Sequence, residues 1–169
     1  MSIYRYIWRD KRQGGTLWQC LRRKGKPYRQ RLTAETPGRI NDRVSIHERP
    51  CIVEERSRIG DWEADTVIGQ HHKQAIVTLV ERKTGLLKMK RVGHKTAQQV
   101  SEAMIELLAP VRLQVKTITS DNGKEFAQHK KVKQKLFSSF FFADAYASWQ
   151  RGTNENTNGL IREYLPKGC

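Results

Sequence analysis

Three strand-like stretches follow one another between residues 62 and 92, and they constrain the fold more than any other feature. Apolar residues favour strands at 62–68, 75–80 and 86–92. The break Glu-Arg-Lys-Thr-Gly at 81–85 is typical of a hairpin loop. We therefore expect the second and third strands to pair antiparallel.

The rest of the chain alternates between helix and strand signals. Thr96, with Gln99 three residues later, predicts a capping box that begins a helix, and Pro110 ends that helix. A strand at 115–119, a helix at 124–136, a strand at 140–143 and a helix at 153–165 follow. The order β-β-β-α-β-α-β-α predicts an α/β fold with a ribonuclease H-like mixed sheet and helices on both faces.

Positive charge is concentrated at the amino terminus. The whole chain has a net charge of +15, and residues 1–32 hold ten basic side chains and one acidic one. Tyrosine and tryptophan are interleaved with these cations, which favours nucleic-acid contact over a solvated surface with a small aromatic core. We predict a basic arm and connector at 1–55, a main domain at 56–169, and DNA contacts at Arg22, Arg23 and Lys24.

Two classes of protein are disfavoured by the sequence. The three cysteines are scattered and lack the spacing of a zinc site. No stretch approaches the roughly 20 apolar residues of a membrane span, and no signal segment is evident. We therefore expect a cytoplasmic protein with no membrane partner.

Three acidic residues fall where the predicted elements could bring them together. Asp65 lies in the first strand, Asp121 directly follows the fourth, and Glu155 lies in the first turn of the last helix. A crossover helix can return the fourth strand beside the first, which would bring Asp65 and Asp121 to one sheet edge. Asp61 and Glu63 share the face of Asp65 by period two and compete for its role.

The last helix carries apolar residues that are expected to face the core, namely Leu160, Ile161, Tyr164 and Leu165. That orientation would turn Glu155 to the other side, with Asn158 and Arg162. Three clustered carboxylates need cations, and oxygen ligands suit Mg²⁺ or Mn²⁺. A pair of such ions is typical of phosphodiester chemistry. Each acid alone also fits a plain structural role, Asp121 in a turn and Glu155 at a helix dipole.

Three motifs carry a resemblance to a known family. The segments GDWEADTVIG (60–69), TSDNGKEF (119–126) and SWQRGTNENTNGLIREYLPKG (148–168) closely resemble bacterial insertion-sequence transposases of the IS30 family. These are DDE transposases with a retroviral-integrase-type catalytic core. The segments 38–69 and IYRYIW (3–8) are also similar to the family, so the resemblance covers essentially the whole chain.

The resemblance implies that Asp65, Asp121 and Glu155 form a catalytic triad that binds two Mg²⁺ or Mn²⁺ ions, and it favours Asp65 over Asp61. The family signature Tyr-x2-Arg-x3-Glu-x6-Lys/Arg is met by Arg151, Glu155 and Arg162, while Ser148 stands at its tyrosine position. The implied activity is cleavage at the ends of the insertion sequence, followed by strand transfer into target DNA by a homo-oligomer.

Predicted DNA contacts in the core are Arg151, Arg162, Trp149 and Lys124, with core packing as the alternative for Trp149 and solvent exposure for Arg162. Relative to the family, the resemblance implies a chain truncated at both ends. Two other functions stay open. One is a remnant that binds DNA without cutting it, and the other is a ribonuclease H-like nuclease.

Overall fold

The computed structural model describes residues 2–21, 40–69, 74–145 and 147–166. The chain divides into two compact units, Met1–Glu35 and Thr36–Cys169. The described part of the predicted connector, from residue 40 onward, belongs to the second unit. The predicted contacts Arg22, Arg23 and Lys24 lie outside the described residues.

Residues 2–21, the described part of the first unit, form helix α1 (Ile3–Arg12) and a 3₁₀ turn after it. Ser2 begins α1 by accepting a hydrogen bond from the Arg5 backbone N–H, and the last turn is basic, as suits the negative end of a helix dipole. The ammonium of Lys11 lies 5.4 Å from the ring centre of Trp8 and 4.1 Å from that of Trp18. No residue of α1 is buried, so its cations and aromatic rings are open to solvent.

The second unit is built on a five-stranded mixed sheet in the order β3-β2-β1-β4-β5. Its strands are β1 (Asp61–Ile68), β2 (Ala75–Glu81), β3 (Leu87–Val92), β4 (Thr117–Ser120) and β5 (Ser139–Phe142). β1 pairs antiparallel with β2, and β2 with β3, whereas β4 runs parallel to both β1 and β5. The predicted hairpin is confirmed, and so is the return of the fourth strand to lie beside the first.

Four α-helices lie in the described part of this unit: α2 (Ile52–Glu55), α3 (Ala97–Leu108), α4 (His129–Leu136) and α5 (Gly152–Tyr164). Helix α3 begins as predicted, since Thr96 Oγ1 accepts the N–H of Gln99. The predicted capping box is incomplete, because the Gln99 side chain accepts the N–H of His94 instead. The mixed α/β fold predicted from the sequence is confirmed.

The predicted helix at 124–136 is interrupted. Residues Lys124–Phe126 form a 3₁₀ turn, and α4 begins only at His129. Glu125 and Phe126 are both buried. Phe126 packs into the apolar core, whereas Glu125 accepts from Thr66 Oγ1 and pairs with Lys95, so the two side chains of this turn have different partners.

The two faces of the sheet differ in chemistry because side chains alternate along each strand. Apolar side chains on one face form the main core with α3 and α4, and include Trp62, Ala64, Val77, Leu79, Ile118, Phe140 and Phe142. The other face of the central strands is largely polar: beside the buried Val67 and Val80 it carries Asp61, Glu63, Asp65, Thr78, Thr117 and Thr119. Helix α5 packs on this polar face through contacts with β1 and β2.

We predict that Gly60→Ala destabilises the protein much more than Gly85→Ala. Both glycines have positive φ, at +110° and +71°, but a Cβ on Gly60 would stand 1.9 Å from the carbonyl oxygen of Gln114, whereas nothing lies within 4 Å of one on Gly85. We expect a loss of roughly 3 kcal/mol or more for Gly60→Ala and about 1 kcal/mol for Gly85→Ala, measured by urea unfolding. Equal losses of unfolding free energy in the two variants would contradict the close approach of Gly60 to Gln114 just before β1.

Candidate active site

Asp65 and Asp121 converge on one arginine. β1 and β4 are parallel neighbours, and Asp121 directly follows the last residue of β4. Arg151 Nη1 lies 3.2 Å from Asp65 Oδ2, and Arg151 Nη2 lies 3.3 Å from Asp121 Oδ2. The structure thus brings two of the three predicted acidic residues to a common cation, beside the carboxyl end of β4.

Asp65 is held firmly and is half-buried. Its Oδ1 accepts the backbone N–H of Thr66 at 2.7 Å, and its Oδ2 accepts Nδ2 of Asn158 at 3.0 Å. Burial raises the pKa of Asp65, Arg151 opposes that shift, and the nearby Asp121 charge adds to it. The ionised carboxylate therefore lies in a place where additional positive charge would stabilise it.

Asp121 ends its strand in a side-chain-supported turn. Its Oδ1 accepts the N–H of Gly123 at 2.9 Å. Asn122 donates to the carbonyl of Ala143 and accepts from Arg43, both at 2.6 Å. A Cβ on Gly123 would stand 2.4 Å from Glu125 Oε2, so the small residue lets the buried Glu125 approach. The Asp-Asn-Gly sequence therefore fixes the carboxylate while it turns the backbone.

Glu155 lies in the first turn of α5 and is exposed. It stands one residue after Asn154 and three before Asn158, and these two asparagines bond to Glu63 and Asp65 of β1. Across residues 2–21, 40–69, 74–145 and 147–166, no three acidic, histidine or cysteine side chains are placed to hold one metal ion. The structure therefore anchors the turn of Glu155 to β1 but does not complete a three-carboxylate cluster.

The predicted apolar inner face of α5 is wrong. Of the four residues expected to face the core, only Ile161 is buried, at 8% exposure; the other three are Leu160, Tyr164 and Leu165. The reason is that α5 packs against the polar face of the sheet. Thr78 Oγ1 lies 3.3 Å from Oδ1 of Asn154 and 3.1 Å from Oδ1 of Asn158, so asparagines take the inner positions.

Asp61 and Glu63, the two alternatives to Asp65, are hydrogen-bonded to other partners. Asp61 accepts hydrogen bonds from Thr117 at 2.7 Å and from Arg58 at 2.9 Å. Glu63 accepts from Arg82 Nη1 at 2.8 Å and is fully buried. Of these three acids, Asp65 is the one in contact with the Arg151 that also binds Asp121.

The predicted DNA contacts in the core have different surroundings. Lys124 is exposed, and Trp149 is 74% exposed, so the core-packing alternative for Trp149 is wrong. Arg162 donates to the carbonyl of Ile68, and the Arg151 side chain is only 12% exposed between the two aspartates. To bind a DNA phosphate, either arginine would have to leave these partners. Their predicted phosphate contacts stay a prediction.

Asn154 is a site residue that the sequence reasoning missed, and the contacts of Asn158 with Asp65 and of Glu63 with α5 were not predicted. The available signal was the spacing of Asn154 and Asn158, four residues apart, which places both amides on one helix face. Glu63 offered the matching signal on β1, two residues before Asp65 and on the same side of the strand.

The sheet order, Asp65 within β1, Asp121 directly after β4, and the helix across them define an integrase-type α/β fold. A chain of the simian T-cell lymphotropic virus intasome, solved in complex with PP2A regulatory subunit B56 gamma, shares this fold with a TM-score of 0.55 at 16% identity. The likeness covers 63% of the present chain and 39% of that one. No family model matches the chain.

In sequence, the chain is similar to insertion-sequence transposases. It is 49% identical over 168 residues to the transposase of IS4351 from Bacteroides fragilis, covering 99% of this chain and 52% of that relative. It is 40% identical over 124 residues to transposase InsI of IS30A from Escherichia coli K12, covering 72% and 32%. The chain is homologous to the insertion-sequence transposases, as its motifs predict.

The chain spans about half of the length of the first of these relatives and about a third of the second. Within the described ranges, none of the helices is long and apolar enough to cross a lipid bilayer.

We predict that Arg151 and Asp121 are energetically coupled. Arg151→Ala leaves two neighbouring carboxylates without their shared cation, so we expect the free energy of unfolding to fall by about 1–2 kcal/mol. Asp121→Asn should recover much of that loss, because it removes one of the repelling charges. The measurement is a double-mutant cycle by urea unfolding in EDTA.

Arg162→Ala is the control, because Arg162 lies on the same helix and bonds to a backbone carbonyl instead. We expect its coupling to Asp121→Asn to be near zero. A coupling as large as that of Arg151→Ala would contradict the role given to Arg151.

Proposed function

We propose that this chain carries the catalytic core of an insertion-sequence transposase, which cleaves DNA at the ends of the element and joins them to target DNA. The observation that carries the proposal is the convergence of Asp65 and Asp121 on Arg151, at 3.2 and 3.3 Å. Two carboxylates, one within β1 and one directly after the neighbouring β4, that already hold one cation have the donor set of a divalent-metal site. Homology to transposases over 99% of the chain supports the same function.

In this proposal, Asp65, Asp121 and Glu155 hold two Mg²⁺ or Mn²⁺ ions. When bound, such ions help to activate the attacking oxygen and stabilise the leaving oxygen of a phosphodiester. Asn158 keeps Asp65 oriented through its 3.0 Å hydrogen bond. Glu155 is exposed on an anchored turn, so a rotamer change could bring its carboxylate towards the pair.

Basic and aromatic side chains around the pair suit a nucleic-acid substrate. Lys124 and Trp149 are exposed on the segments that carry Asp121 and Arg151. We propose that Arg151 exchanges its two carboxylates for a DNA phosphate when substrate and metal bind, since its planar guanidinium fits either partner. Arg162 would make a second phosphate contact. The active form would be a homo-oligomer acting on DNA in the bacterial cytoplasm.

A second candidate function is DNA binding without cleavage. It is favoured by the absence of a three-carboxylate cluster from the described ranges and by the exposed cations of α1. This function predicts affinity that falls steeply with salt and does not change with Mg²⁺ or with Glu155→Ala. The enzyme instead predicts metal-dependent nicking.

We predict that the purified chain nicks supercoiled plasmid in Mg²⁺ or Mn²⁺ but not in EDTA, and that Asp121→Asn reduces the rate more than about 100-fold. Changes to groups that only support a metal ligand already cost about 10–100-fold, and loss of a ligand should cost at least as much. Asp144→Asn is the matched control, because Asp144 is a nearby exposed acid bonded to His47 and Gln150. Equal activity of Asp121→Asn and the unmodified chain would reject the assignment.

A further inference from the structure

Helix α5 begins without a cap of its own. Its N-cap residue, Arg151, makes no side-chain hydrogen bond to the first turn, and instead points its guanidinium at two aspartates. The first backbone N–H groups of a helix have no partners inside the helix, and a buried helix end needs acceptors for them. The acceptor for one of these groups therefore has to come from another part of the chain.

The missing acceptor is Glu63 of β1. Its Oε2 accepts the backbone N–H of Asn154 at 2.8 Å, and Asn154 is the third residue of α5, whose N–H a capping oxygen usually serves. Glu63 and Asn154 are both 0% exposed, so no water competes for this bond. A carboxylate at this place also meets the positive end of the helix dipole.

We propose that Glu63 caps α5 from the neighbouring strand and is a positioning residue for the site. The contact is doubled, because Asn154 Nδ2 donates to the backbone carbonyl of Glu63 at 3.0 Å. Asn158, one turn further along the helix, bonds to Asp65, two residues further along the strand. Two matched strand-to-helix contacts therefore set the register of α5, and Glu155 lies between them.

The other carboxylate oxygen of Glu63, Oε1, forms an ion pair with Arg82. Arg82 Nη1 donates to Glu63 Oε1 at 2.8 Å, and the Arg82 side chain is 3% exposed. Arg82 Nη2 also lies 2.9 Å from Glu54 Oε2 of α2. This pairing lets an ionised carboxylate remain fully buried under α5, with one oxygen for the guanidinium and one for the helix.

The test compares Glu63→Gln with Glu81→Gln by hydrogen–deuterium exchange. Glutamine at 63 offers one acceptor, so its amide NH₂ would face either Arg82 or the N–H of Asn154. Glu81 is equally buried in β2, but it accepts the N–H groups of Gly60, Lys83 and Thr84 and none from α5. It is therefore a matched buried glutamate without the capping role.

We expect Glu63→Gln to speed amide exchange in α5 by about tenfold, in line with the loss of a helix cap, while α3 keeps its protection. Glu81→Gln should leave α5 unchanged relative to α3. Exchange that rises equally in α3 and α5, or α5 exchange unchanged in Glu63→Gln, would overturn the proposal.

Two further variants keep the proposal testable if Glu63→Gln does not fold. Glu63→Asp retains the charge next to Arg82 but is one methylene too short to span both partners, so it should also loosen α5. Asn154→Ala removes the side-chain contact with the Glu63 carbonyl and keeps the ion pair, so it should loosen α5 to a smaller degree. Normal α5 exchange in both variants would refute the cap.

The positioning role rests on the proposed transposase function, but the cap does not. If the unmodified chain fails to nick DNA, the proposed function fails while the exchange data still decide the cap. If the chain is active, Glu63→Gln should lower the maximal nicking rate with little change in DNA affinity. If Glu63→Gln speeds amide exchange in α5 but leaves the nicking rate unchanged, the positioning role is overturned while the cap stands.

Discussion

The alternation of side chains along β1 is the constraint on which the second unit depends. Trp62 and Ala64 point into the apolar core, while Asp61, Glu63 and Asp65 point to the opposite face. A strand with acids on one side cannot bury that side against apolar helices without partners for its charges. The elements that cover this face therefore bring guanidinium and amide groups, from Arg49, Arg58, Arg82, Asn154 and Asn158.

The three acids of β1 have different roles because their surroundings differ. Asp61 and Glu63 are almost fully buried and have partners for both oxygens, so they serve the structure. Asp65 keeps 21% of its side chain exposed and has a pKa raised by burial, with Asp121 as its neighbour. A carboxylate that is fixed and only partly compensated is a good candidate for a further cation. Because side chains alternate along a strand, all three acids lie on one face of the sheet. They differ in how deeply their side chains are buried.

The sequence was sufficient for the element order and for the approach of Asp65 to Asp121, because both follow from periodicity and from the usual crossover between parallel strands. It misled on α5, where the rule that apolar residues face inward failed at Leu160 and Tyr164. That rule presumes an apolar partner surface, and the face that α5 meets is polar. The contact of Arg151 with both aspartates was not predicted, because its two carboxylate partners are 86 and 30 positions away in the chain.

A helix held by hydrogen bonds is positioned differently from a helix held by apolar contacts. Apolar surfaces tolerate small sliding motions, whereas a shift of α5 by one residue would leave Glu63 Oε2 and the amide of Asn154 buried without partners. Each such orphaned group costs roughly 1–3 kcal/mol. The polar face thus buries less apolar surface, but its hydrogen bonds fix the register of α5 on β1. That register determines where Asn158 meets Asp65, and it fixes the position of the turn that carries Glu155.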